Sequence, residues 1–476
     1  MRLDKIYVGG AWHDTETVAE QDIIDPATGR SIGTLALSGA ADGARAVAAA
    51  RGAFDAWSET PVAERKAVLE RVLTCYKARW DDLAAAITRE MGAPAKMSAA
   101  AQVGAGYGHL KDFAAAINKV PWVSTPDVGD GNVRIMMAPM GVTVLITPWN
   151  WPMNQIALKV GAALAAGCTM VLKPSELAPL SAQIFAEVME AADVPPGVFN
   201  MVFGTGPDLG EALVRHPDVA AVSLTGSTRA GAAVSHAAAD DIKRVSLELG
   251  GKGACLVFAD ADPVAAGEET AVSMFRNTGQ SCNAPSRMLV ERSIYEQVVE
   301  SVANVARDFV VGNPAEPETQ MGPLANKAQF ERVKEFLIKG KEEARLVTGG
   351  GATEDGGFFV EPTVFADVNN EMVIAREEIF GPVLSIIPFD TEEEAIAIAN
   401  DSPYGLAAYL WTQDPNRIQR LTHKLRSGMV RLNGTDIPFG APFGGFRQSG
   451  IGREGGVWGI EEFLEIKAVS GWPEVN

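Results

Sequence analysis

Cysteine and histidine are scarce in this chain, which holds four and five of them in 476 residues. Cys75, Cys168, Cys255 and Cys282 lie far apart, with neither the density of a disulfide scaffold nor a C-x-x-C pair. The scattered histidines leave no His-rich zinc site, and no metal is expected. No apolar run reaches the ~20 residues that a bilayer-spanning helix needs. The opening stretch, Met1 to Gly10, lacks the apolar core of a secretory signal, so a cytoplasmic location is expected. Positive charge is also short. Lys and Arg number 41 against 60 Asp and Glu, a formal charge of −19 that repels phosphates and excludes nucleic acid or an anionic membrane as the main partner. Low-complexity tracts and internal repeats are missing as well.

What remains is the composition of a globular protein, 47% hydrophobic and 21% charged, at a length that predicts roughly two to three domains. The first forty residues read as strand-rich and irregular. Helical periodicity follows over Ala41–Trp57, Glu64–Met91 and Ala95–Asn118. Pro121, Pro126, Gly129 and Gly131 then punctuate Lys119–Met137 as a projecting hairpin or linker. From Gly141 to Gly251 the apolar runs Val142–Ile146, Thr169–Leu172, Val198–Phe203, Ala221–Leu224 and Val245–Leu249 alternate with helical stretches, as in a parallel sheet flanked by helices. A second α/β set runs to about Val430, with strands at Ala254–Phe258, Met288–Val290 and Val383–Ile387. Phe463–Ser470 reads as a last strand.

Four short constellations carry chemistry. Thr147-Pro148-Trp149-Asn150-Trp151-Pro152 follows a buried strand, where ligands of open parallel sheets bind. Its Asn amide could donate to an oxyanion, or could simply cap the next helix. Lys173-Pro174-Ser175-Glu176, just past another strand, could hold an adenosine ribose or form a solvated charged loop. Gly204-Thr205-Gly206-Pro207-Asp208-Leu209-Gly210 is one residue longer than the usual dinucleotide fingerprint. Leu224-Thr225-Gly226-Ser227 opens a helix whose free N–H groups would suit a pyrophosphate. Finally, Glu248-Leu249-Gly250-Gly251-Lys252 pairs with Gly279-Gln280-Ser281-Cys282-Asn283. Cys282 stands in a polar turn, unlike the apolar surroundings of Cys168 and Cys255, and a nearby Glu could act as a general base.

These motifs, with Glu378-Ile379-Phe380-Gly381-Pro382 and Pro442-Phe443-Gly444-Gly445, stand in the order of the aldehyde dehydrogenase superfamily, and the chain resembles its hydrolytic branch over nearly its whole length. The resemblance implies an α/β fold. A Rossmann-like NAD-binding domain would span 1–118 and 140–250, an α/β catalytic domain 251–448, and a small β oligomerisation arm 119–139 and 455–476. It implies Cys282 as nucleophile, Glu248 as general base for deacylation, and Asn150 with the Cys282 N–H as oxyanion site. Lys159 and Glu454 match positions that assist proton movement. For NAD it implies contacts from Ile146, Thr147, Pro148, Trp149, Lys173, Ser175, Glu176, Gly206, Gly210, Thr225, Gly226, Ser227, Leu249 and Gly250. Gln329, Glu378 and Phe380 fall at the nicotinamide end. Trp151, Gln155, Leu158, Ser281, Asn283, Ile437 and Phe443 match the aldehyde tunnel. No Arg stands at these tunnel positions, which mildly disfavours an anionic semialdehyde, although loops elsewhere could supply one.

The expected reaction is attack by the Cys282 thiolate on an aldehyde, hydride transfer to NAD, and hydrolysis of the resulting thioester by water that Glu248 activates. NADP is the less favoured cofactor, because Glu176 would repel a 2′-phosphate. A free thiol has a pKa of ~8.5, so its activation needs help from a helix terminus, Lys159 through water, or Glu248. A CoA-acylating enzyme of the same fold characteristically lacks a Glu at the position of Glu248. A retired structural protein would have let Cys282, Glu248 and Asn150 drift. The expected partners are a small aldehyde and further copies of this chain, as a homodimer or homotetramer.

Overall fold

A computed structural model describes residues 1–128, 132–353 and 356–472. Gly129 and Gly131 of the expected hairpin, and 473–476 of the expected arm, lie outside the described residues.

Two large sheets organise the molecule. The first has eight strands, in the order Gly450–Ile451, Arg244–Glu248, Val219–Thr225, Val142–Ile146, Thr169–Lys173, Phe199–Met201, Lys5–Val8 and Ala11–Asp14. Its five middle strands are parallel, and both ends are finished by antiparallel pairings. The inner strands are short, β-branched and buried, as strands covered by helices on both faces must be. The covering helices start and stop where local chemistry dictates. Pro152 and Pro179 open Pro152–Ala166 and Pro179–Ala191, and Gly167 at φ +89° ends the former.

The second sheet has seven strands, in the order Arg345–Thr348, Thr363–Ala366, Val383–Phe389, Arg287–Glu291, Ala254–Val257, Ala407–Trp411 and Met429–Leu432. All are parallel except the first. Alternate residues feed two separate cores, Cys255 and Val257 one face and Ala254 and Leu256 the other. Val123–Ser124, Val133–Pro139 and Leu464–Ser470 form a small antiparallel sheet. Arg2–Leu3, Thr17–Asp25 and Arg30–Ser38 form another.

Register decides where chemistry can occur. Ile146 lies opposite Lys173 and Leu224, and Thr225 opposite Glu248, so the carboxyl ends of four strands make one rim. The segments facing that rim, 248–253, 276–286, 378–382 and 405–406, each run into the amino end of a strand of the second sheet. A cleft therefore lies between strand ends of opposite polarity.

Two predicted helices depart from the periodicity. Glu64–Met91 is broken into Val62–Ala78 and Trp80–Met91 at Arg79 (φ −105°, ψ 18°), whose guanidinium holds Asp82 at 2.6 Å and Glu187 at 2.8 Å. Neither Gly nor Pro marks that break. The predicted helix Ala95–Asn118 contains a π-helical stretch, Ser98–Val103, before Gly104–Ala116. The long glycine turn is also π-helical, over Gly206–Gly210. Its Gly210 N–H reaches back to the Thr205 carbonyl, and this wide turn takes up the extra residue of the motif.

Candidate active site

The turn carrying Cys282 is held by a buried polar lattice. Asn277 and Thr278 both adopt left-handed backbone, and Gly279 follows at φ +69°, where a Cβ would stand 2.1 Å from the Gly381 carbonyl oxygen. Asn277 Nδ2 donates to the carbonyls of Asn150 (3.0 Å) and Gln280 (3.2 Å). Gln280 Oε1 accepts from Ala325 N–H at 2.9 Å. Gln102, wholly buried on the π-helical stretch, donates to Asn277 Oδ1 and to the Asn150 carbonyl. Gly251 admits the Cys282 carbonyl oxygen to within 2.3 Å of where a Cβ would sit. This buried network fixes the turn that carries the thiol, with Gln102 Oε1 the one acceptor in it left without a partner among the described residues.

Asn150 reaches this turn directly, its Nδ2 donating to the Gln280 carbonyl at 2.9 Å. It does not cap the next helix. Trp151 occupies the N-cap position without a side-chain bond, and its Nε1 donates instead to Ser281 Oγ at 2.8 Å. An amide carries two N–H donors, so Asn150 keeps one for a ligand.

Burial, reinforced by the negative charges of Glu248, Glu378 and Glu454, pushes the Cys282 thiol far up, against the opposing pull of the Asn283 N–H. The thiol is neutral at rest. Glu248, at the end of its strand and 2% exposed, has no hydrogen-bond partner for either carboxyl oxygen among the described residues. Burial first and the Glu454 carboxylate second raise its pKa well above the usual range, while Lys159 and Arg453 oppose the shift. Behind it lies a buried ion pair. Lys159 Nζ stands 2.6 Å from Glu454 Oε1 and 3.0 Å from Ser223 Oγ, and Glu454 Oε2 is left without a partner. Such isolated acceptors are costly unless a ligand or water completes them.

Along the rim of the first sheet stand the residues matched to a dinucleotide. Lys173 Nζ lies 3.4 Å from Glu176 Oε2, and burial lowers the Lys173 pKa while Glu176 raises it. Ser175 Oγ accepts from Leu177 N–H. Gly206 opens onto free space, and Gly210 lies beside the Lys173 side chain. Ser227 Oγ caps the helix Thr228–Ala239 by accepting from Ala230 N–H at 3.2 Å. Thr147 Oγ1 and Thr225 Oγ1 are buried and have no partner among the described residues. Ile146 and Leu249 share an apolar cluster at this rim, and Pro148 and Trp149 begin the Asn150 turn. Leu249 N–H donates to the Ser449 carbonyl, and Ser449 Oγ donates to the Gly250 carbonyl at 2.7 Å.

At the far end Gln329 Nε2 donates to the carbonyls of Ile379 and Phe380, both at 2.8 Å. Phe380, at φ +58°, meets Trp149 edge-on at 5.7 Å. Glu378 Oε1 accepts from Gly251 N–H at 2.8 Å, and burial pushes its pKa up to about 7.

Cys282 opens on its other side into a cavity of about 460 Å3, a size suited to a small molecule. All seven expected tunnel residues, Trp151, Gln155, Leu158, Ser281, Asn283, Ile437 and Phe443, line it. None of the seven matched positions is an arginine, but segments outside them bring Arg276 and Arg431 to the cavity lining, with His109, Tyr409, Asp436 and Phe439. The polar run Arg276-Asn277-Thr278 beside the nucleophile motif was the available signal for part of this. Gln102, His109 and Ser449 had none nearby in the chain.

The Aldehyde dehydrogenase family matches residues 12–469. The 3-succinoylsemialdehyde-pyridine dehydrogenase of Pseudomonas sp. is 48% identical over 473 residues, 98% of each chain. Among solved structures, an aldehyde dehydrogenase from Bartonella henselae superimposes with a TM-score of 0.96 at 45% identity, covering 99% of both chains. An aldehyde dehydrogenase C variant from Pseudomonas syringae, complexed with NAD+ and octanal, gives 0.96 at 44% identity, covering 99% of this chain and 98% of that one.

Proposed function

The chain belongs to the aldehyde dehydrogenase family, whose reaction is the oxidation of an aldehyde to its acid, and on that premise we propose that Cys282 is its nucleophile, Asn150 its oxyanion donor and Glu248 its deacylating base. The observation that carries this is the convergence of Asn150 and Glu248 on Cys282 at the mouth of an aldehyde-sized cavity.

The residues along the rim fit NAD. The two orphaned threonine hydroxyls, the open space at Gly206 and the capped start of Thr228–Ala239 suit phosphates, and Glu176 suits ribose hydroxyls. NAD held there would supply the hydride acceptor that oxidation of the Cys282 adduct to a thioester requires. The chain's own residues do the rest. The Cys282 thiol passes its proton to water, directly or by way of Glu248, its sulfur bonds the aldehyde carbon as the C=O π bond breaks, and the carbonyl oxygen becomes an oxyanion. The free Asn150 N–H and the Cys282 backbone N–H hold that charge. In the second half Glu248 accepts a proton from water, the hydroxide adds to the thioester carbon, and the carbon–sulfur bond breaks to free the acid and restore Cys282. The raised pKa makes Glu248 a strong base once ionised, and the orphaned Glu454 Oε2 beside the Lys159 pair offers the proton a way out.

The domain division 1–118 with 140–250, 251–448, and 119–139 with 455–476 is proposed on the same grounds, as is a cytoplasmic location. No helix among the described residues is long and apolar enough to cross a membrane. NADH formation from a simple aldehyde, with and without CoA, tests the reading. Cys282→Ala should abolish it while leaving NAD binding nearly intact, and Cys75→Ala, Cys168→Ala or Cys255→Ala should not. Substantial turnover in Cys282→Ala would remove the assignment.

A further inference from the structure

The π-helical stretch Ser98–Val103 is anchored at both ends. Its first residue, Ser98, donates to the Ala93 carbonyl at 3.2 Å and accepts from Thr88 Oγ1 at 2.8 Å. The carbonyl of its last residue, Val103, accepts from the hydroxyl of the buried Tyr76 at 3.0 Å. Departures of this kind from the α-helix recur at functional sites. This one carries Gln102, which is wholly buried and takes no part in the cavity wall.

The orientation of Gln102 follows from its neighbours. Asn277 Nδ2 lies 3.0 Å from the Asn150 carbonyl and 3.2 Å from the Gln280 carbonyl, and a backbone carbonyl can only accept. Asn277 Oδ1 is therefore left as an acceptor. Gln102 meets that oxygen at 3.2 Å and the Asn150 carbonyl at 3.1 Å, so it must turn its nitrogen to both. The arrangement carries a penalty, because Gln102 Oε1 then stays buried without a partner among the described residues. An apolar side chain of similar length would carry no such penalty. Packing alone does not call for glutamine here.

What the glutamine secures is Asn150. The Asn150 carbonyl is clamped by two amides, those of Gln102 and Asn277, while its own Nδ2 is tied to the Gln280 carbonyl at 2.9 Å. Backbone and side chain are thus both held, and the direction of the second Asn150 N–H is held with them. A donor fixed before charge develops needs no reorganisation when the charge arrives.

We propose that Gln102 is a positioning residue for the reaction, setting the aim of the Asn150 N–H through the Asn150 backbone and Asn277. The inference rests on the reading of Asn150 as oxyanion donor. An oxyanion forms when Cys282 adds to the aldehyde and again when water adds to the thioester, so Gln102 acts in both half-reactions.

The test is a double-mutant cycle of Gln102→Met with Asn150→Ala, read by rapid mixing and steady-state kinetics. A cooperative melt and NAD titration show that each variant folds, and Gln102→Asn, one methylene short of the network, takes the place of Gln102→Met should that variant not fold. In the wild-type background the substitution should lower both the NADH burst rate and kcat on the order of tenfold to a hundredfold, with the aldehyde KM and NAD binding little changed. In the Asn150→Ala background it should cost less than about twofold more, because the donor it aims is gone. Alkylation of Cys282 by iodoacetamide forms no oxyanion, so its rate should be nearly unchanged. An equal loss in both backgrounds, or a matching loss of alkylation, would show that Gln102 only supports the Cys282 turn and would overturn the proposal. Wild-type rates in the Gln102 variant beside a damaged Asn150→Ala would overturn it while leaving the oxyanion reading intact. Wild-type turnover in Asn150→Ala would overturn both.

Discussion

The side-chain amide of Asn150 donates to the backbone carbonyl of Gln280 at 2.9 Å, joining the turn after strand Val142–Ile146 to the turn that carries Cys282. One amide thus holds the Cys282 turn and, in the proposed mechanism, would offer its second N–H to the reacting oxygen. Asn150→Ala should lower kcat on the order of 10²–10³-fold, the loss typical of one oxyanion donor, with the NAD dissociation constant little changed. Asn150→Asp should be worse, because a carboxylate would face both the Gln280 carbonyl and the developing oxyanion. Steady-state kinetics beside NAD titration checks both.

Glu248 sits where its proton is tightly held, since burial and Glu454 both raise its pKa. The base is the ionised form, so deacylation should accelerate as pH rises through that pKa. Glu248→Gln should give a burst of NADH approaching one equivalent per site, then very slow turnover that has lost this rise with pH. If Glu248 also takes the thiol proton, the burst itself should slow and recover at high pH, because the Cys282 pKa is raised as well. Rapid mixing across pH, with mass spectrometry of the acyl-enzyme, separates the cases. Wild-type turnover without a burst would transfer the role to Glu378 or Glu454.

Glu176 pairs loosely with the buried Lys173, at 3.4 Å, and keeps its carboxylate partly in solvent. A 2′-phosphate brought to it would meet like charge. NAD should therefore give the higher kcat/KM over NADP, and Glu176→Gln should narrow the gap. A ratio favouring NADP in wild type would contradict the assignment.

Among the described residues Leu464–Ser470 pairs on one side only, with Val133–Pro139, and most of its residues are exposed. Open strand edges recruit further strands. A homodimer or dimer of dimers should appear in light scattering at micromolar concentration, and a monomer there would refute it. Proline in place of Lys467 should weaken the assembly.

Much of this was legible along the chain. The five parallel strands of the first sheet, the rim motifs and the Cys282 turn show in local patterns, because buried strands, caps and glycine turns each answer to a few adjacent residues. Boundaries were less legible. Arg79 breaks a helix without Gly or Pro, because its bonds to Asp82 and Glu187 compensate the interrupted helix from a partner more than a hundred positions away.

By itself, then, the sequence determined which side chains could do chemistry here: a cysteine in a polar turn, a glutamate at a strand end, an asparagine past another. The tertiary structure alone decided their company. Gln102 reaches Asn277 across 175 positions and Lys159 reaches Glu454 across 295. Charge balance and the pKa of a buried thiol depend on everything within a few ångströms, and those neighbours come from segments brought close by the meeting of two sheets.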